Sequence, residues 1–147
     1  MENWNRLKMT SSDTAASLYS ECQKLFPCWC WNEAKLANIV SDRSGDYEIG
    51  FAPNIEADED FKNLSVNDLK ERGIQGITLP ERLKLELQYY KATGKHLDID
   101  YFTLCAGSRY SDGSVPGVRC WSSDELGVGW DDPDVRNGVL RSRRAVS

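Results

Sequence analysis

The chain has 147 residues, of which 40% are hydrophobic and 28% charged, and its net charge at pH 7 is −5. This length predicts one domain, residues 1–147, with a hydrophobic core of its own. The composition is that of an ordinary globular protein, which excludes a fibrous or disordered chain. No apolar run reaches the roughly 20 residues that span a bilayer. Because residues 1–22 also lack the apolar centre of a secretory signal, we expect a cytoplasmic protein.

The first predicted element is a helix in SSDTAASLYSECQKLF, residues 11–26. Apolar residues recur along one of its faces, and Ser11 or Ser12 can cap its start. Pro27 ends it, because the residue before a proline is pushed out of the helical region.

Residues 27–31, PCWCW, alternate cysteine with tryptophan. In a strand the two cysteines would point to one face and the two tryptophans to the other. Two thiols at this spacing can share a metal ion, but structural zinc needs four ligands and no CxxC or HxxxH pair supplies more. The segment therefore predicts a two-faced strand whose cysteines are small core residues.

Four short segments follow. KLANIVS (35–41) and DYEIGF (46–51) are predicted strands joined by a hairpin turn at SDRSG. The acidic run IEADEDF (55–61) is predicted to be an exposed loop, and SVNDLKERG (65–73) a short helix capped by Ser65.

The clearest helix is TLPERLKLELQYYKATG. Thr78 and Glu81 form a capping box, and Gly94 ends the helix. Its apolar residues form two flanks, with Arg82 and Glu86 between them at the spacing of an ion pair. A helix apolar on two flanks should pack on a sheet and on a second body, either the first helix or another subunit.

The remaining strands, YFTLCAGSRY, VPGVRCW and LGVGW, are predicted to form an antiparallel meander with SDGS and SSDE as its turns. In this register Arg119 pairs with Val128, and Trp121 with Leu126. One face then carries Arg119, Trp121, Leu126, Val128 and Trp130. The opposite face holds Gly127 and Gly129, which would let helix 79–93 approach closely. After DDPD, the tail either returns as an edge strand or remains loose.

Five cysteines, an odd number, in a chain without an export signal predict free thiols. The meander would place Cys105 nearly opposite Cys120, and cytosolic conditions favour their reduced forms. A Cys105–His96–Asp98 arrangement can be drawn around the single histidine, but it matches no protease signature.

No catalytic residue, metal site or cofactor is predicted. The chain lacks a glycine-rich phosphate loop, and EADED and DDPD depart from the spacing of calcium loops. The one basic cluster is interpreted as a solvated tail, so nucleic acid is not an expected partner. It consists of Arg136, Arg141, Arg143 and Arg144. Whether the protein is an enzyme stays open, with the pattern favouring none.

The face with Arg119 and two tryptophans has three possible roles. It can be core, with Arg119 stacked on a tryptophan, an interface, where Trp and Arg are enriched, or the wall of a pocket for an anionic ligand. The candidate binding residues are Arg109, Tyr110, Arg119, Trp121, Trp130 and Asp131.

The second half of the chain carries a further pattern. LPERLKLELQYYKATGKHLD, followed by TLCAGSRYSDGSVPGVRCW and WDDPD, resembles small uncharacterised bacterial proteins carried on mobile (integron-type) gene cassettes. The resemblance covers Ile77 to the C-terminus and implies a compact bacterial cytosolic protein of accessory value. It transfers no site residues.

The expected fold is α+β, an antiparallel sheet of about five or six strands with two to three helices mainly on one face. The expected function is that of a non-enzymatic interaction protein, either a homo-oligomer or a module for another protein partner. The alternative is a binder of small anionic molecules, or a modest enzyme, with a pocket around Arg109 and Arg119.

Overall fold

The computed structural model describes residues 3–122 and 124–147, which form an α+β fold. Its strands are β1 (Arg6–Met9), β2 (Cys28–Cys30), β3 (Val40–Ser41), β4 (Tyr47–Gly50), β5 (Phe102–Leu104), β6 (Ser108–Arg109), β7 (Val115–Cys120), β8 (Leu126–Asp131) and β9 (Leu140–Ser142). Its helices are α1 (Ala15–Leu25), α2 (Val66–Glu71) and α3 (Leu79–Thr93), with 3₁₀ helices at Glu33–Asn38 and Glu59–Phe61. None of the described helices is long and apolar enough to cross a membrane.

The main sheet has five strands in the order β2-β8-β7-β5-β9, and two small sheets pair β1 with β4 and β3 with β6. Strands β5, β7 and β8 are antiparallel, as predicted, but β2 and β9 join at the two edges in parallel. The prediction of a purely antiparallel sheet is therefore wrong. Both edge strands come from distant parts of the chain, and such long connections can bring a strand in parallel.

The predicted register of β7 and β8 is wrong by one residue. Trp121 donates its N–H to the carbonyl of Glu125, so the turn is entered one residue earlier and Cys120 pairs with Leu126. A one-residue slip moves every side chain to the other face. The inner face of the sheet therefore carries Val118, Cys120, Leu126 and Val128, and the outer face carries Gly117, Arg119, Gly127, Gly129 and Asp131.

The main core lies on the inner face, where α1 and α3 pack with the β1–β4 sheet. A smaller core on the outer face joins Val66 of α2 to Leu104, Val115 and Leu140. The predicted capping box of α3 and its end at Gly94 are both confirmed, and Gly94 has a φ of 71°. The second body against α3 is the first helix, one of the two alternatives expected.

Helix α1 is capped by Thr14 rather than by Ser11 or Ser12. Thr14 accepts from the backbone of Ser17, and the Ser17 hydroxyl accepts in return from Thr14, so a serine takes the place of the usual Glu. Phe26 is extended before Pro27, as predicted.

The alternation of PCWCW is confirmed for β2, where Cys28 and Cys30 pack against the inner core and Trp29 is exposed. Trp31 departs from it. It follows the strand and packs edge-on against Tyr110, with ring centroids 5.6 Å apart.

The predicted strand at 35–41 is largely wrong, because Glu33–Asn38 forms a 3₁₀ helix and the strand is limited to Val40–Ser41. The hairpin at SDRSG is also wrong, since β3 pairs with β6. The predicted strand over 46–51 is confirmed, but it pairs with the N-terminal strand β1, which supplies buried Leu7 and Met9.

The loop at 55–61 is less exposed than predicted. Ala57 and Phe61 are 1% and 7% exposed, because the segment packs under β9. The short helix that follows is confirmed, with Ser65 as its cap and Asp68 completing the capping box.

The C-terminal segment returns as the edge strand β9, but its arginines are not a solvated cluster. Arg143 is fully buried, and the guanidinium of Arg141 lies 3.7 Å from the ring centroid of Tyr101. Arg136 pairs with Asp68 on the surface. These three arginines therefore contribute contacts within the fold.

Candidate functional site

A network of charged side chains is buried beside the inner face of the main sheet. Arg82 Nε donates to Asp98 Oδ2 at 3.0 Å, and its Nη1 lies 2.9 Å from Glu86 Oε1, an ion pair without the alignment of a hydrogen bond. Arg143 Nη2 reaches Asp98 Oδ1 at 2.8 Å. All four side chains are fully buried, so the predicted Arg82–Glu86 pair is confirmed in an interior setting.

Asp98 is the centre of this network. It also accepts hydrogen bonds from the Thr103 hydroxyl and the backbone N–H of Ala57. Arg143 donates in addition to the carbonyls of Asn54 and Ile55, at 2.8 Å each. The network therefore fastens the C-terminal segment and the 54–57 segment to α3, which is a structural task.

His96 extends the network toward β7. Its Nδ1 lies 2.7 Å from Glu86 Oε2, and its ring packs between Phe26 and Tyr90. Hydrogen bonds with Cys120 and with Glu86 raise the pKa of His96 to about 10. Cys120 is fully buried, so this thiol–imidazole pair is closed to a substrate.

The Cys105–His96–Asp98 arrangement considered from the sequence is not formed. His96 contacts Glu86 and Cys120, whereas Asp98 is committed to two arginines. Cys105 lies opposite Pro116 rather than Cys120, so the two cysteines do not form a cross-strand disulfide. All five cysteines are free. Burial raises the pKa of the Cys105 thiol, which disfavours the reactive thiolate.

The outer face of the main sheet presents aromatic side chains around one cation. Trp29, Gly127, Arg119 and Phe102 lie in one row across neighbouring strands. The Arg119 guanidinium lies 4.4 Å from the ring centroid of Trp121 and 5.5 Å from that of Phe102, and its Nε donates to the carbonyl of Ile99. We call Trp29, Phe102, Arg119 and Trp121 the Trp/Arg surface.

A cleft of about 270 Å³ adjoins the Trp/Arg surface. Gly117 and Gly129 form its floor, and Asp131 lies at its edge. Burial raises the pKa of Asp131, and within the described residues its carboxylate has no hydrogen-bond or ion-pair partner. We call this the glycine cleft.

Two other predicted binding residues lie elsewhere. Tyr110 is buried and donates its hydroxyl to the carbonyl of Gly129 from behind the glycine cleft. Arg109 is in β6, where it lines a separate cleft of about 400 Å³ with Lys70 and Asp42. The structure thus brings Arg119, Trp121 and Asp131 to the outer face, without Arg109. The prediction that Trp130 shares this face is wrong, because in the observed register Trp130 alternates with Asp131 and packs near Trp31 on the inner side.

The largest cavity, about 560 Å³, was not predicted. It lies between the start of α1 and the 36–47 segment. Arg43 borders it and is held by two hydrogen bonds of 2.8 Å to the buried Glu81, which also accepts from Tyr47. No sequence signal marks it, because Arg43 lies in a segment interpreted as a turn and Glu81 is explained by its capping box.

Within residues 3–122 and 124–147, no three His, Cys, Asp or Glu side chains come together as metal ligands. Comparison of the chain with protein-family models, curated proteins and solved structures finds no match. The resemblance to gene-cassette proteins therefore stays a prediction.

Proposed function

We propose that the protein is a non-enzymatic binding module that uses the Trp/Arg surface and the glycine cleft to associate with a second copy of itself. The observation that carries this proposal is the placement of Arg119 and Asp131. Both are on the outer face, neither has an ion-pair partner among the described side chains, and they lie on opposite sides of the Gly117–Gly129 pair.

The exposed aromatic residues support an interface. Trp29 and Trp121 are 51% and 41% exposed, whereas Val118, Leu126 and Val128 on the inner face are fully buried. Single exposed apolar residues are ordinary, but two exposed tryptophans beside Phe102 and an arginine on one face of a small protein have the composition of an interaction hot spot.

The register makes the surface self-complementary. Arg119 lies two residues beyond Gly117 on β7, and Asp131 lies two residues beyond Gly129 on β8, which runs in the opposite direction. Two copies can pack face to face about a two-fold axis that passes over the glycine pair, parallel to the sheet and perpendicular to the strands. Arg119 of each copy then comes close to Asp131 of the other. A contact of this kind is closed and uses the same patch twice.

The size of the glycine cleft favours a side chain over a small molecule. Its volume of about 270 Å³ is below the range of roughly 300–1,000 Å³ that is usual for ligand pockets. A Cβ at Gly129 would meet nothing within 4 Å, so its floor is open to a group from a partner. A tryptophan of the second copy fits this description, since aromatic side chains dominate interface energetics.

The test is charge reversal, measured by sedimentation equilibrium of the reduced protein. Arg119→Glu and Asp131→Arg should each weaken self-association at least tenfold, and the double reversal should restore it because the two charges exchange roles. Trp29→Ala and Trp121→Ala should also weaken it, since truncated hot-spot residues cost about 2 kcal/mol or more.

Lys91→Glu is the matched control, because Lys91 is exposed on α3 and belongs to neither surface. Circular dichroism and urea unfolding establish that each variant is folded. A wild-type protein that remains monomeric at high micromolar concentration would refute the proposal. So would single reversals that associate as the wild type does.

A further inference from the structure

The cleft around Arg109 differs from the largest cavity in how its charges are satisfied. In the 560 Å³ cavity both charged lining residues are paired, Arg43 with Glu81 and Asp13 with Lys84 at 2.6 Å. In the 400 Å³ cleft, neither Arg109 nor Lys70 forms an ion pair with a described residue. The first cavity is the larger, but only the cleft around Arg109 has cations without ion-pair partners in the part of the chain that the structure describes, which makes it the better candidate for an anion-binding site.

Arg109 is held in place by groups that do not neutralise it. Its Nη1 donates to the carbonyls of Ala106 and Ser108, at 2.8 Å each. The backbone of Arg109 pairs with Val40 of β3, next to a hydroxyl hydrogen bond between Ser41 and Ser108. The guanidinium is therefore fixed, and within the described chain its other N–H groups have no acceptor.

The balance of charge in the cleft is positive. The charged residues that line it are Lys70 in the last turn of α2, Arg109 and the exposed Asp42, which together give a net charge of +1. Arg43 lies behind the 73–76 loop, but its guanidinium is taken up by Glu81 and the carbonyl of Gly76. Partial burial lowers the pKa of Arg109, and Asp42 offsets this only in part.

Arg109 is partly buried and forms no ion pair with a described residue, so an anion that enters the cleft would gain charge-assisted hydrogen bonds from donors that are already in place. The cleft has the volume of a small-molecule site, and its wall includes the exposed Gly73 and the buried Gly76. Arginine is well suited to this role because its fixed fork matches the geometry of carboxylate and phosphate groups.

We propose that the cleft between Lys70, Arg109 and the 73–76 loop binds the phosphate or carboxylate group of a small molecule. The site is separate from the self-association surface, so either proposal can fail without the other. Arg109 supplies fixed hydrogen-bond donors, and Lys70, whose side chain is exposed, supplies a second positive charge from α2.

The experiment is an NMR titration of the isotope-labelled protein with inorganic phosphate at constant ionic strength, then with acetate. Saturable shifts should be confined to the backbone amides of 73–76 and to residues 70 and 109. Arg109→Gln and Lys70→Gln should each raise the phosphate dissociation constant, the former about tenfold or more. Lys91→Gln, with the same change of charge on an exposed site, should leave it unchanged.

Saturation by acetate alone would assign the site to carboxylates, and saturation by phosphate with the expected variant effects would assign it to phosphate groups; both outcomes support an anion site. Shifts that do not saturate with either probe would overturn the proposal. The same holds if Lys70→Gln and Arg109→Gln, both folded, bind phosphate as tightly as the control does.

Discussion

The charged side chains on the two faces of the main sheet differ in their burial and in their ion pairing. On the inner side, Arg82, Asp98 and Arg143 are fully buried and paired with one another. On the outer side, Arg119 and Asp131 are partly exposed and have no ion-pair partner among the described residues. The inner charges hold parts of the fold together, so the outer charges are the better candidates for binding a partner.

This difference has an energetic basis. A buried ion pair adds little net stability, because desolvation offsets its attraction, but removing one partner leaves an uncompensated charge and is strongly destabilising. A partly exposed charge without a counterion costs little free energy, because water still solvates it. Such a charge can therefore stay unpaired until a partner binds. The two faces should therefore respond to mutation in different measurements, stability for one and binding for the other.

The largest effect is expected from Asp98→Asn. The change keeps the size of the side chain, and asparagine tolerates the positive φ of 54° at this position. It removes the negative charge between two buried arginines, so the free energy of unfolding should fall by about 3–5 kcal/mol. Urea unfolding followed by circular dichroism measures it.

Arg136→Gln is the control, since it breaks the ion pair with Asp68 on the surface. Exposed pairs contribute little to stability because water and salt screen them, so this variant should unfold close to the wild type. Equal losses in the two variants would show that the buried network is no more important than a surface pair.

A second prediction concerns the pH dependence of stability. The pKa of His96 is raised to about 10 in the folded state, against about 6.5 when unfolded, so the stability contributed by its charged form is complete below pH 6.5 and is lost as the pH rises toward 10. Between pH 6.5 and 8 the loss should be about 1–2 kcal/mol.

Comparison with His96→Gln isolates this effect, because the variant lacks the titrating group while other groups still titrate. The wild-type curve should fall more steeply with pH than the variant curve over this window. Parallel curves would mean that His96 is neutral in the folded protein and that its contact with Glu86 is an ordinary hydrogen bond.

Local signals in the sequence predicted the parts of the fold that depend on them. The capping box of Thr78 and Glu81, the stop at Gly94 and the faces of Cys28 and Cys30 follow from rules that span a few residues. The strand β1 and the parallel edges of the main sheet depend on contacts between distant segments, which no local pattern indicates.

The sequence pattern brought together only part of the candidate surface. Of the six predicted binding residues, Arg119, Trp121 and Asp131 share the outer face, because a turn entered one residue earlier than expected moved Leu126, Val128 and Trp130 to the inner face and Asp131 to the side of Arg119. The symmetry of Arg119 and Asp131 about the glycine pair is a consequence of that register. The sequence alone did not determine it.

The smallest effect expected comes from two glycines on neighbouring positions of the outer face of β8. A Cβ at Gly127 would lie 2.7 Å from Nε1 of Trp121, so Gly127→Ala must displace the indole from Arg119. A Cβ at Gly129 meets nothing within 4 Å. Gly129→Ala should raise the free energy of unfolding by about 0.4–1 kcal/mol, because the unfolded chain has less freedom, whereas Gly127→Ala should lower it by about 0.5–1 kcal/mol through the lost cation–π contact.

The same pair of variants separates stability from association. Tryptophan fluorescence should shift only in Gly127→Ala, where Trp121 moves. Gly129→Ala should be the more stable monomer and yet the weaker partner in sedimentation, because its methyl group fills the floor that the second copy needs. If Gly129→Ala is more stable and associates as well as the wild type, the glycine cleft is not part of the interface, and the outer face must be used through Trp29 and Trp121 alone.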